Sequence, residues 1–270
     1  MVTFVPTPIG NLKDLTFRAI EAFKSAELFL CEDTRVTKQL LKLIDEKITP
    51  LKIEAQFLSF NEHNGYERLS QIGSKLESLN VVYVSDAGMP SISDPGALLV
   101  KYCQENSISY DILPGATAFA TAYSASGFES GKFTFWGFLP HKGVKRAKEL
   151  EQILSNNTDT IVYESPYRLI QLLKEITQKS PQRELFLAKE LTKKFQKYYK
   201  GIAKDIYEEL KDKTIKGEWV VIIKANSQKK DSINLEFIKS MDIPPKIKAK
   251  ILAKITNISV KEWYEKLINS

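Results

Sequence analysis

Only two histidines and two cysteines occur among the 270 residues, and that scarcity removes several chemistries at once. His63 and His141 belong to no Cys/His spacing of the zinc type and read as surface or loop residues, so no metal is expected. No G-x-S-x-G elbow marks a hydrolase nucleophile. No G-x-x-x-x-G-K-[ST] loop is there to cradle a triphosphate, and Gly10 lacks the partner glycines of a dinucleotide fingerprint. Cys31 and Cys103 read as buried, reduced thiols rather than a disulfide or metal pair. No apolar run approaches the ~18 residues of a membrane span. The stretch Met1 to Asn11 has no basic leader and carries Pro6 and Pro8, unlike a secretory signal. A cytoplasmic protein without a membrane partner is the expectation.

What is present is an ordinary globular composition, 43% hydrophobic and 27% charged, in a chain long enough for two domains with separate cores. The net charge of +6 is unevenly placed. Residues 226–270 hold nine lysines against five acids, a surplus of four. A basic appendage suits a polyanionic partner, because each neutralised phosphate releases counterions; a lysine-rich solvated face is the plainer alternative.

Apolar patterning predicts strands at 2–7, 28–31, 57–60, 81–84 and 110–113, separated by helices at 15–25 (opened by Thr16), 34–44, 65–79 and 96–106. Such βαβα order implies a largely parallel sheet with helices on its faces. A second series follows Pro114-Gly115. It has helices at 116–126, 144–154, 166–178 and 204–211, and strands at 133–137, 160–163, 184–188, 195–201 and 218–224. Adjacent strands without a helix between them make this second sheet mixed. The expected division is an α/β domain over 1–114, a second α/β domain over 115–226, a polar linker at about 226–231 and a basic helical extension over 231–270, with helices at 235–241, 246–254 and 260–267.

The segment Ser85 to Gly96, SDAGMPSISDPG, directly follows the buried-strand pattern Val81-Val82-Tyr83-Val84. Gly88 and Gly96 allow positive φ and close approach of a ligand to the main chain, while Pro90 and Pro95 stiffen the rest. Ligands of open α/β sheets bind where loops leave the carboxyl ends of strands. Four more loops stand at such ends: Thr7 to Asn11, Glu32 to Arg35, Pro114 to Thr117, and Tyr163 to Ser165. They offer amides and small side chains but few cations, which suits a neutral or cationic ligand better than a triphosphate. Asp86 and Asp94 read as caps of the turns and helix they precede. Asn61 to Asn64 is a polar loop after a strand, and Lys189 to Lys194 is either a charged hairpin turn or a pocket carboxylate among phosphate-reaching lysines.

The ordered series VPTPIGNLKDLTFRA, CEDTR, VSDAGMPSISDPG, LPGATA, GFLP, YESPYR and KELTK resembles the 16S rRNA (cytidine-2'-O)-methyltransferases of the tetrapyrrole methylase superfamily over about residues 2–225. Met89 is a small departure, since threonine is common there in that family. The resemblance implies S-adenosylmethionine as methyl donor, bound between two α/β domains, a homodimer, and a cytidine ribose in the decoding region of 16S rRNA, as naked RNA or assembled small subunit, as acceptor. Its donor-site residues carry over to Pro8, Ile9, Gly10 and Asn11; to Met89, Pro90 and Ile92; to Gly115, Ala116 and Thr117; to Tyr163 and Glu164; and to Leu191, Thr192 and Glu218.

Removing the proton of a ribose hydroxyl during attack calls for a positioned base. The loop positions nominate Asp33 and Glu190 for that role, with Lys193 and Arg35 to hold phosphate or lower the hydroxyl pKa. Lys246, Lys248, Lys250 and Lys254 of the basic extension are the candidate RNA-phosphate contacts. Two competing readings are a tetrapyrrole C-methyltransferase of the same fold and a non-catalytic RNA-binding assembly protein. The first is disfavoured by TPIGN in place of a glycine-rich first loop; the second needs no donor pocket.

Overall fold

The structure, a computed structural model, describes residues 1–226, 235–256 and 258–268. It divides into two compact units, Met1–Ala225 and Asn226–Ser270. Most of the expected linker and the start of the expected 231–270 extension fall on residues 227–234, outside the described residues.

In the larger unit the chain runs β1 (Val2–Phe4), α1 (Phe17–Ser25), β2 (Leu28–Cys31), α2 (Thr34–Lys47), β3 (Gln56–Ser59), α3 (Gly65–Ile72), α4 (Lys75–Ser78), β4 (Val81–Val84), α5 (Gly96–Glu105) and β5 (Tyr110–Ile112). These strands form a parallel sheet in the order β3-β2-β4-β1-β5. Both faces are covered, and strand alternation assigns the side chains. Phe4, Leu30, Val81 and Tyr83 pack on one side with Leu69 and Leu99 of α3 and α5. Phe29, Cys31, Val82 and Val84 pack on the other with Phe23, Leu41 and Ile44 of α1 and α2.

The chain continues through α6 (Ala118–Ser126), β6 (Phe133–Phe138), α7 (Gly143–Ser155), β7 (Asp159–Glu164), α8 (Pro166–Lys179), β8 (Glu184–Lys189), β9 (Lys197–Ile202), α9 (Ala203–Leu210) and β10 (Trp219–Ile223). The second sheet has the order β6-β7-β10-β8-β9, with only β6 and β7 parallel. It is therefore mixed, as the missing helices between strands required. α7, α8 and α9 fill one face around Val162, Leu187 and Val221. α6 covers the other, around Ile161, Phe186 and Ile222.

Three expected elements differ. The single helix over 65–79 is broken after Ile72, where Gly73 packs so closely that a Cβ would run into the Tyr102 hydroxyl. The helix expected from 116 starts at Ala118, because Thr117 keeps extended backbone, φ −143°. The first strand leaves the parallel ladder after Phe4; Pro6 has no N–H to give it, and Thr7 instead forms an isolated antiparallel bridge with Gly88.

The smaller unit contains α10 (Leu235–Ser240), α11 (Pro245–Ile255) and α12 (Val260–Ile268) around Ile238, Ala249, Leu252 and Trp263. The Trp263 indole donates to Thr256 Oγ1 at 2.7 Å, so the buried ring keeps its polar atom satisfied. Lys246, Lys250 and Lys254, four residues apart on α11, share one exposed face. Lys248 is turned to the Lys239 carbonyl, 2.7 Å away. Among the described residues no helix is long and apolar enough to cross a membrane.

Candidate active site

The loop after β4 is shaped by its own main chain. Thr7 N donates to Gly88 O and Gly88 N to Thr7 O, both at 3.0 Å, which pins the loop to the end of β1. Gly88 takes φ +81°, and a Cβ there would press on Ile9 Cγ2 at 3.1 Å. Ser91 adopts φ +68° without being glycine. Asp94 Oδ1 accepts the Tyr83 hydroxyl at 2.7 Å and Gly96 N at 2.8 Å, so this acid ties the loop to the sheet and opens α5. Burial and Asp94 push the Tyr83 hydroxyl far above the usual phenol range. Two further non-glycine residues with positive φ, Glu190 at +51° and Thr192 at +65°, lie in the loop after β8. Strained backbone therefore collects at this end of the two sheets.

Between these loops lies a cavity of about 370 Å³. It is walled by apolar groups such as Ile9, Met89, Phe138, Leu191 and Val220, and by the carboxylate residues Glu32, Asp94, Glu164 and Glu218. No lysine or arginine is among its walls. Of the residues carried over from the resemblance, Ile9, Met89, Ile92, Thr117, Tyr163, Glu164, Leu191 and Glu218 line the cavity.

Pro8, Gly10, Asn11, Pro90, Gly115, Ala116 and Thr192 are not among the residues that line it. Asn11 N donates to Thr192 Oγ1 at 3.0 Å, joining the first loop to the second sheet. Gly10 has no room for a Cβ beside Lys193 and Thr192, and Gly115 none beside Pro6. Tyr163 Oη accepts Phe119 N at 3.2 Å, and burial pushes its hydroxyl up to about 12.

The proposed acids and bases fall into three settings. Asp33 caps α2 by accepting Arg35 N at 2.8 Å, and its carboxylate also pairs with the Arg35 guanidinium at 2.6 Å. Arg35 holds this carboxyl down at about 2, and Asp33 does not line the cavity. Glu190 and Lys193 form a clasp: Lys193 Nζ donates to Glu190 Oε1 at 3.0 Å and to Glu218 Oε2 at 2.9 Å. Burial works against the ionised Glu190, but the Glu218 amide and Lys193 outweigh it and hold the carboxyl below the usual range. Burial likewise opposes the charge on Lys193, while its two carboxylates lift the ammonium above its ordinary value.

The third setting belongs to Glu32, which sequence reasoning passed over in favour of its neighbour. Glu32 lines the cavity, and burial raises its carboxyl above the ordinary value, with Asp86 and Asp94 adding to the rise. Its Oε2 accepts Asp86 N at 3.1 Å. β2 ends at Cys31, so strand alternation does not reach the two acids; what separates them is Arg35, two residues after Asp33, which claims that carboxylate. Asp94, Phe138, Trp219 and Val220 were likewise not singled out as walls, since they come from a cap or from strands of the second sheet.

Beneath the cavity a fully buried carboxylate is matched by arginines. Glu164 Oε1 accepts Arg168 Nε at 2.8 Å and Glu164 Oε2 accepts Arg146 Nη1 at 3.4 Å, while Arg146 Nε also meets Glu175 at 3.0 Å. Arg146 Nη1 donates to the Pro140 carbonyl at 3.1 Å as well.

A cleft at the carboxyl ends of a five-stranded parallel sheet, closed by a mixed second sheet, is the architecture of a methylase class: the family model of Tetrapyrrole (Corrin/Porphyrin) Methylases matches residues 1–207. The fold is also similar to that of uroporphyrin-III C-methyl transferase from Thermus thermophilus complexed with S-adenyl homocysteine. That match has a TM-score of 0.54 at 15% identity and covers 82% of this chain and 96% of the other. Ribosomal RNA small subunit methyltransferase I of Helicobacter pylori (strain ATCC 700392 / 26695) is 43% identical, over 98% of this chain and 96% of the relative. The protein of the same name from Campylobacter fetus subsp. fetus is 41% identical, over 99% and 100%. The chain belongs to the ribosomal RNA small subunit methyltransferase I family within those methylases.

Proposed function

We propose that the protein transfers the methyl group of S-adenosylmethionine to the 2'-hydroxyl of a cytidine ribose in small-subunit rRNA, in the cytoplasm and as a homodimer. The observation that carries the donor assignment is the composition of the cavity. Its ~370 Å³ falls within the ~300–1,000 Å³ usual for small-molecule sites. Apolar walls suit an adenine ring, and the carboxylates of Glu32 and Asp94, which meet main-chain amides and the Tyr83 hydroxyl rather than a cation, suit a ligand bearing a sulfonium and an ammonium group. Gly88 lines the cavity in a left-handed conformation that its lack of a side chain allows. When bound, the donor supplies an electrophilic methyl group on a positively charged sulfur.

The chain's own part is to bind, align and remove a proton. Alignment of two reactants can contribute roughly 7–11 kcal/mol of barrier lowering. The Thr7–Gly88 bridge fixes two loops of 1–114 to each other, and the Asn11–Thr192 bond ties them to 115–226, the two segments being read as two α/β domains. Glu32 is the carboxylate assigned to take the hydroxyl proton, because it faces the cavity and its affinity for a proton is raised. Asp33, committed to Arg35, is a weak acceptor there. Lys193 and Glu190 set the position of Glu218.

The direct test is ribose-methylation mapping of small-subunit rRNA incubated with the purified protein and labelled donor. One new 2'-O-methylcytidine is expected; methylation on a base, or none, overturns the proposal. The exposed lysines of α11 are assigned to RNA phosphates. Deleting residues 231–270 is then expected to reduce the slope of log affinity against log salt by about 2, from three contacts at ~0.7 each. Donor affinity should not change, since every cavity wall lies within 9–220. An unchanged slope would remove the extension from RNA binding. Sedimentation of the free protein reads the dimer.

A further inference from the structure

A second cavity, about 740 Å³, opens beside the first and shares Phe138 and Ser165 with it. Its walls come from the end of β6, the turn after it, the first half of α7 and the first turn of α8, including Pro140, His141, Lys145, Glu149, Tyr167 and Arg168. Two rings stand open to solvent here. Phe138 is 57% exposed and Tyr167 is 95% exposed. Among the described residues Tyr167 packs on no other ring, whereas Phe138 meets Tyr163 of the first cavity edge-on at 5.4 Å. Tyr167 is the most exposed large hydrophobic side chain among the described residues.

The ground under these rings is fixed. Arg168 is held by buried Glu164 at 2.8 Å, and its Nη1 lies 2.6 Å from His141 Nδ1. Arg146, buried behind them, anchors the Pro140 carbonyl at 3.1 Å. Lys145 contributes an exposed ammonium at the rim. Aromatic faces on a firm base beside cations are what unpaired bases and their phosphates require. The core of a protein–protein contact, in contrast, is depleted of charged residues.

We propose that this second cavity is the acceptor subsite, holding an unpaired base of single-stranded RNA stacked on Tyr167 and Phe138, with a backbone phosphate at Lys145. The ribose then reaches the first cavity across the shared wall of Phe138 and Ser165. The assignment rests on the proposed RNA methylation and adds to it the place where the strand lies.

The test uses the full chain carrying Tyr167→Ala, Lys145→Ala or Tyr167→Trp. The readouts are KM for a small-subunit rRNA fragment, affinity for that fragment by fluorescence anisotropy, S-adenosylmethionine affinity by calorimetry, and mass by sedimentation. Tyr167→Ala should weaken RNA affinity and raise KM about tenfold, within the range of one base–aromatic stack. Lys145→Ala should lower the salt dependence of RNA binding, and Tyr167→Trp should restore the wild-type KM. Donor affinity and mass should not move. If the wild type methylates RNA and Tyr167→Ala matches it in KM and affinity, the subsite is wrong while the activity stands. If Tyr167→Ala changes the mass instead, the rings belong to a contact between copies of this chain. If the wild type neither binds nor methylates the fragment, both assignments fall.

Discussion

Replacing Glu164 by Leu is expected to lower the stability of the larger unit by about 3 kcal/mol, the lower end of the range for removing one partner of a buried ion pair. The Glu164 side chain is fully buried and lies between Arg146, itself 3% exposed, and Arg168. Its loss strands the Arg146 guanidinium in the interior, where one nitrogen, Nη2, already has no hydrogen-bond partner. Glu175 still holds Arg146 Nε, which keeps the cost from rising further. For a unit of this size the change corresponds to a fall in Tm of about 6–12 °C. Urea denaturation of the single variant and of Arg146→Met/Glu164→Leu completes the measurement. The double variant should be the more stable of the two, because an apolar pair leaves no unpaired charge. A single variant within 0.5 kcal/mol of wild type, roughly the scatter of surface substitutions, would remove the network from the stability of the fold.

Glu32→Gln is expected to slow single-turnover methyl transfer by roughly 10²- to 10⁴-fold, the usual worth of a positioned base. The amide oxygen of Gln can still accept Asp86 N, so the loop keeps its shape and donor affinity should hold. The pH profile separates a base from a mere wall. Burial raises the Glu32 carboxyl, so the ionised form that accepts a proton is present above that raised pKa and disappears as pH falls through it. Wild-type kcat/KM should decline on the acid side above the ordinary glutamate range, and this limb should vanish in the variant. Asp33→Asn, whose carboxyl sits at about 2, should show no such change in the limb. A full single-turnover rate in Glu32→Gln would leave alignment alone to carry the reaction.

The central strands of the first sheet were legible because strands buried on both faces are apolar without interruption. Val81 to Val84 could be nothing else, and its four residues are all buried. The loops that line the cavity were legible for a related reason: glycine and proline mark backbone that regular structure does not use. Glu32 was not, although it adjoins Asp33. The choice between two adjacent acids beyond the strand end is made by Arg35, which claims the Asp33 carboxylate. Walls such as Phe138 and Trp219 come from the second sheet, whose placement against the first no local pattern encodes. The break at Gly73 was hidden for the same reason, since Tyr102 supplies the close contact from another helix.

The Thr7–Gly88 bridge and the Asn11–Thr192 bond tie together positions 81 and 181 residues apart in the chain. The first joins two loops of one sheet, whose β1–β4 pairing Val2↔Val81 spans nearly the same separation, and the second links the first loop of that sheet to the loop after β8 of the other. Donor binding should then draw both sheets into one cooperative melting transition and raise its midpoint with donor concentration, so the ligand acts as the missing seam between two halves that each have a core of their own.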